Sequence, residues 1–130
     1  MGGVLAAAES QAGDLVGAER DYREALRMWK AIGVMEGVVL GTGNLAGLAL
    51  EREDWAAAET LAREALALGE ELGRKDRIAS NCACLAEALT RQNRKPEALA
   101  YAQRAVNILT QRRSPELDEA RGILRECQER

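Results

Sequence analysis

The chain contains no histidine and no phenylalanine, two tryptophans, two tyrosines, two prolines and three cysteines in 130 residues. Without histidine it lacks the usual neutral-pH general base and the commonest metal ligand, which sets an enzymatic reading at a disadvantage. Three cysteines cannot all pair within one chain, and no secretory signal precedes them, so reduced thiols are expected. Cys82 and Cys84 are two residues apart, about 200° of rotation on a helix, which points them in opposite directions and argues against a shared metal. No run approaches the roughly 18 uncharged residues of a membrane span, and Met1-Gly-Gly-Val-Leu5 has no basic leader. These features suggest a cytoplasmic protein that carries no cofactor and binds no membrane. A net charge of −3 lacks the basic footprint of a nucleic-acid binder.

What the chain does have is 24 alanines and 17 leucines, strong helix formers. It also repeats. An offset of 40 residues superposes it on itself without gaps: Leu5-Ala6 recurs as Leu45-Ala46 and Leu85-Ala86, Ala18 as Ala58 and Ala98, and Ala25-Leu26 as Ala65-Leu66 and Ala105-Val106. Asp14 recurs as Asp54, and Gly33 as Gly73. The matching residues are small or apolar and fall at helical spacing, as buried contact faces do.

Each unit reads as a helical hairpin closed by a stop. In unit two a first helix runs from about Glu36 to Arg52, Asp54 caps the second helix, and Gly73 ends it after Leu72 in the left-handed region. Unit one has Gly13-Asp14 at the hairpin turn, and unit three has Asn93. Pro96 opens the second helix of unit three, and Pro115 opens a last helix to about Gln128, positions where a missing N–H costs nothing. The second helices carry alanines where neighbours must approach, at Ala58, Ala62, Ala65, Ala98, Ala102 and Ala105, while Tyr22, Trp29, Trp55, Leu61, Leu66 and Leu68 supply volume.

This order of Leu-Ala, turn, small residue and Ala resembles the tetratricopeptide repeat, in a variant of longer period similar to kinesin light chains, cell-polarity adaptors and sensor arrays of bacterial signal-transduction ATPases. The resemblance implies an all-α fold, an α-α superhelix of three hairpins with a capping helix. Its repeats would cover about residues 3–33, 34–73 and 74–113, with the cap at about 115–128. The family's first-helix Trp is Thr42 and Cys82 here, its Tyr is Ala49 and Leu89, and the turn glycine of unit two is Glu53. Unit one lacks its opening turn, so the chain is expected to be a piece of a longer array.

In that family the first helices line a concave groove for a partner's peptide or helix. Carried over by register, the groove residues are Ala7, Ser10 and Gln11; Leu40, Gly43, Gly47, Leu50 and Glu51; and Ser80, Ala83, Glu87, Thr90 and Arg91. Asn44 resembles the asparagine that pairs with a bound peptide's backbone, and Cys84 replaces it in unit three. The expected function is protein–protein interaction within a regulatory or scaffold protein. The rival reading is self-association, a homodimer formed through the N-terminal face or the groove.

Three further signals were open. Gly37, Gly41, Gly43 and Gly47 lie in one helix at about 0.8 to 1 kcal/mol each relative to alanine, serving either a ligand in the groove or close helix packing. Gly41-Thr-Gly43 follows no strand and precedes no Gly-Lys-Ser/Thr, which sets aside phosphate binding. Acidic residues such as Glu19, Glu59 and Glu70, interleaved with Arg20, Arg23 and Arg63, read as a solvated outer face, and Arg91, Arg94, Lys95, Arg112 and Arg113 as a candidate contact for an acidic partner.

Overall fold

The computed structural model describes residues 11–129, with side chains from Leu15 onward. Among the described residues six helices follow one another: α1 (Gln11–Ile32), α2 (Met35–Glu51), α3 (Trp55–Leu72), α4 (Lys75–Arg91), α5 (Lys95–Arg112) and α6 (Leu117–Gln128). No strand occurs among the described residues. Short turns fold α2 back on α3 and α4 back on α5, and each hairpin packs on the next through α3 against α4 and α5 against α6. First helices also touch directly, α2 against α4 and α4 against α6, which leaves a continuous face built from these three.

The 40-residue period recurs in the backbone. At the stops, Val34 N–H donates to Trp29 O, Arg74 to Gly69 O and Ser114 to Leu109 O, each closing the helix before it. Gly33 and Gly73 adopt φ of 75° and 66° there, and Arg113 takes the same left-handed conformation at 53°. At the hairpin turns, Asp54 N–H donates to Ala49 O and Arg94 N–H to Leu89 O, with Glu53 and Asn93 left-handed at 61° and 63°. The Asp54 carboxylate accepts from Ala57 N–H at 3.3 Å, which caps α3.

Two expectations change. Gly13 and Asp14 lie inside α1 rather than in a turn; one helical glycine costs about 1 kcal/mol, which helix-forming neighbours such as Ala12 and Leu15 offset. The last helix starts at Leu117, two residues later than Pro115, because Ser114 Oγ and O accept from Glu116 and Leu117 N–H and hold Pro115-Glu116 in a turn.

The core is built where alanines meet. Ala58, Ala62, Ala65, Ala98, Ala102 and Ala105 are buried, and α4 contributes Cys82, Leu85 and Leu89 between its neighbours. A stripe of methyl groups lets the helices pack closely, and dispersion contacts sum over that interface. A smaller cluster of Leu26, Val38, Leu45 and Leu48, with Trp29 against it, fastens α1 to α2. Tyr22 is not among the core residues; it is exposed on α1.

Candidate functional site

The face made by α2, α4 and α6 carries a cleft of about 360 Å³. It exists because the helices meet through small side chains on one side while their inward residues stay short. Gly43, Asn44, Gly47, Leu50 and Glu51 of α2 form one wall, and Ser80, Ala83 and Glu87 of α4 the other. These are eight of the residues that the register selects for a groove. A β-carbon on Gly47 would meet nothing within 4 Å, so this position opens on the cleft.

The remaining selected residues lie elsewhere. Leu40 is exposed on α2 away from the cleft lining. Thr90 is buried at 6% exposure: its hydroxyl lies 2.7 Å from Ala86 O and 3.2 Å from Cys127 Sγ, because α6 docks over the last turn of α4. Arg91 turns to α6, where Nη1 donates to Glu126 Oε2 at 2.7 Å. Ala7 and Ser10 lie outside the described residues, as does the side chain of Gln11.

The glycine-rich helix divides by position. At Gly37 an added Cβ would stand 2.3 Å from Trp29 Cδ2, so the missing side chain makes room for the indole. At Gly43 the nearest atom would be Asn81 Oδ1 at 3.2 Å, a tight approach across the cleft floor. A β-carbon on Gly41 would meet Leu26 at 3.5 Å, ordinary contact. Packing accounts for Gly37, and open space for Gly47.

Cys84 lies in the cleft as the counterpart of Asn44, but the register did not supply Asn81 of α4 or the lining from the ends of the array: Tyr22 of α1, and Glu116, Glu119, Ala120 and Ile123 at α6. No repeat register reaches α6, since it belongs to no hairpin. Amphipathicity was the available signal, because the residues one turn apart, Glu116, Ala120, Ile123 and Cys127, fall on one face.

Four carboxylates, Glu51, Glu87, Glu116 and Glu119, line the cleft, and no lysine or arginine does. Burial pushes the Glu87 carboxyl above the ordinary carboxylate value; Arg91, 4.0 Å away, offsets this in part, and Glu119 and Glu126 add to it. Burial also pushes the Cys84 thiol up to about 12 and that of the core residue Cys82 up to about 11, so both are protonated and poor nucleophiles at neutral pH. The two cysteines do face apart, one into the cleft and one into the core. Among the described residues, no group of three Cys, Asp or Glu side chains is arranged to hold a metal ion.

The outer face is electrostatically different. Glu59 accepts from Arg63 Nη2 at 2.9 Å, Arg94 Nη1 at 2.8 Å and Gln92 Nε2 at 3.1 Å. Burial works against its charge, but these bonds outweigh burial and hold the carboxyl below its ordinary value. Arg63 continues to Glu97 at 2.8 Å and lies 5.8 Å from the Tyr101 ring. Pairs of Glu19 with Arg52, Glu36 with Arg74, and Glu70 with Arg104 likewise tie neighbouring units together. Arg94 and Arg91 are therefore committed within the fold, and Lys95 Nζ reaches Glu129 O at 3.4 Å. Three of the five residues of the basic cluster read from the sequence are thus engaged within the fold, while Arg112 and Arg113 are exposed at the end of α5.

Repeated helical hairpins stacked around a shared face, with a helix closing the end, define a helical-repeat solenoid. The sequence profile of the tetratricopeptide repeat matches residues 3–32, 42–72 and 82–112, and the chain belongs to that family. The repeats of this family generally mediate protein–protein interactions and are typically not enzymes. No curated protein matches the chain.

Proposed function

We propose that the cleft between α2, α4 and α6 binds a segment of another protein, in extended or helical form, and that the chain works by recognition without catalysis. The observation that carries this reading is Gly47. A glycine in mid-helix costs about 1 kcal/mol relative to alanine, no neighbour requires its missing side chain, and it opens on the cleft. Asn44 beside it presents an amide able to pair with a peptide backbone. Nucleic acid is a poor occupant, since the lining is acidic and offers no cation to a phosphate. All three cysteines are free thiols, as the reducing cytoplasm would keep them. No described helix is long and apolar enough to cross a membrane.

Gly47→Leu tests the proposal by filling the cleft with a side chain that has room to stand there. A folded protein that no longer binds its partner supports the site, and unchanged affinity refutes it. A second reading, self-association, is favoured by Met28, Ile32, Val34 and Met35, which leave apolar surface exposed around the α1–α2 turn. Light scattering over a wide concentration range separates the two, because a strictly monomeric protein excludes the second.

A further inference from the structure

We infer that the occupant of the cleft is a basic protein segment that anchors a lysine or arginine side chain between α4 and α6. This deepens the proposed reading of the cleft and rests on it. The argument begins with a contrast between carboxylates. Glu19, Glu36, Glu59, Glu70 and Glu97 each meet an arginine from another repeat. In the cleft, Glu51, Glu116 and Glu119 have no ion-pair partner among the described residues. Glu87 has only Arg91, at 4.0 Å, and that guanidinium is drawn aside to Glu126. The acids at the joins between units are paired; among the described residues Glu53, Glu64 and Glu71 on the open surface are unpaired as well, but only in the cleft do unpaired acids converge on one hollow.

Asn81 gives a second, independent indication. Its side chain is 3% exposed, yet only Nδ2 finds a partner, donating to Arg77 O at 2.9 Å. Its Oδ1 borders the cleft, 3.2 Å from where a β-carbon on Gly43 would stand, and accepts no hydrogen bond among the described residues. This acceptor is open to the cleft rather than sealed in the core, and a bound N–H would pair with it there. The unmet capacity of the cleft is therefore for donors, which an ammonium or guanidinium supplies in number.

The apolar part of the lining fits the same side chain. Ala83, Ala120 and Ile123 stand among the carboxylates, so the methylene stem of a lysine or arginine would lie on them while its charged end reaches Glu87 and Glu119. An acidic segment would meet like charge, and an uncharged one would leave the carboxylates unpaired as they are desolvated.

The test is a positional-scanning library of short peptides offered to the full chain, followed by titration of the best sequences. The expected result is enrichment of lysine or arginine at one position or more. Affinity should fall about tenfold in Glu87→Gln/Glu119→Gln, and also as salt rises from about 50 to about 500 mM. If the first variant fails to fold, Glu116→Gln/Glu119→Gln, on exposed positions at the start of α6, serves the same purpose. Selected peptides that are apolar or acidic, displaced by Gly47→Leu but indifferent to the glutamine substitutions, would overturn the basic occupant and keep the site. Retention of no peptide, or binding unaffected by Gly47→Leu, would overturn the site itself.

Discussion

The indole of Trp29 occupies the space that a side chain on residue 37 would need, with Cδ2 2.3 Å and Cγ 2.5 Å from the position of an added Cβ. Gly37→Ala should therefore displace the ring from the cluster that joins α1 to α2 and cost about 1–3 kcal/mol. Gly47→Ala, in open space on the same helix, should stabilise the fold by up to about 1 kcal/mol. Urea unfolding of the two variants decides the matter, and equal effects would contradict the division of the glycines into packing and cleft.

Glu87→Gln removes a half-buried charge that faces Glu119 and Glu126 as well as Arg91. Its carboxyl is held above the ordinary carboxylate value, so the folded state takes up its proton more readily than the unfolded chain. Its stabilising contribution is present at low pH and lost as pH rises through the folded value. At neutral pH the glutamine variant should consequently melt higher than the parent, and the gap should close under acid, where both carry an uncharged group. A lower melting temperature at neutral pH would show that the Arg91 contact dominates.

Glu59 has the opposite sign. Its carboxyl is held below the ordinary value by Arg63, Arg94 and Gln92 outweighing burial, so its contribution is present above the ordinary carboxylate range and lost as pH falls through the folded value. Glu59→Gln should destabilise at neutral pH and approach the parent in acid. Arg94→Met should destabilise less than loss of a buried charged hydrogen bond would, because the guanidinium is 40% exposed and screened by solvent. Thermal melts across pH check both.

Glu53 and Arg113 hold left-handed backbone, as do their repeat counterparts, Asn93 at the hairpin turn and the glycines Gly33 and Gly73 at the stop. A non-glycine residue pays roughly 1–2 kcal/mol there, against about 0.5–1 kcal/mol for the greater freedom of glycine in the unfolded chain. Glu53→Gly and Arg113→Gly should each stabilise by about 0.5–1 kcal/mol in chemical denaturation. A loss at either site would mean that its side chain makes a needed contact.

The fold was legible because stacked hairpins repeat their chemistry: the residues that must be small, Ala58 and Ala98, or left-handed, Gly33 and Gly73, recur at one offset. The same register selected Gly43, Gly47, Ser80, Ala83 and Glu87, which line the cleft. It placed Thr90 wrongly, because an array ends. Leu50 faces the cleft, whereas its counterpart Thr90 lies beneath α6, whose docking no period encodes. Arg94 was misread for a related reason: beside the local pair with Glu97 it reaches Glu59 on α3 of the preceding repeat, and pairing across repeats depends on side-chain reach as well as on periodicity. The unpaired acids of the cleft came into view only against the pairing of Glu19, Glu36, Glu59, Glu70 and Glu97 across the repeats.

An amide-resolved NMR titration of the full chain with the best library peptide tests the central claim most directly. The account predicts saturable shifts concentrated at Gly43, Gly47, Ser80, Ala83 and Glu87 and along α6, abolished by Gly47→Leu. Shifts confined to the α1–α2 turn, or to the outer face around Glu59 and Arg94, would contradict it.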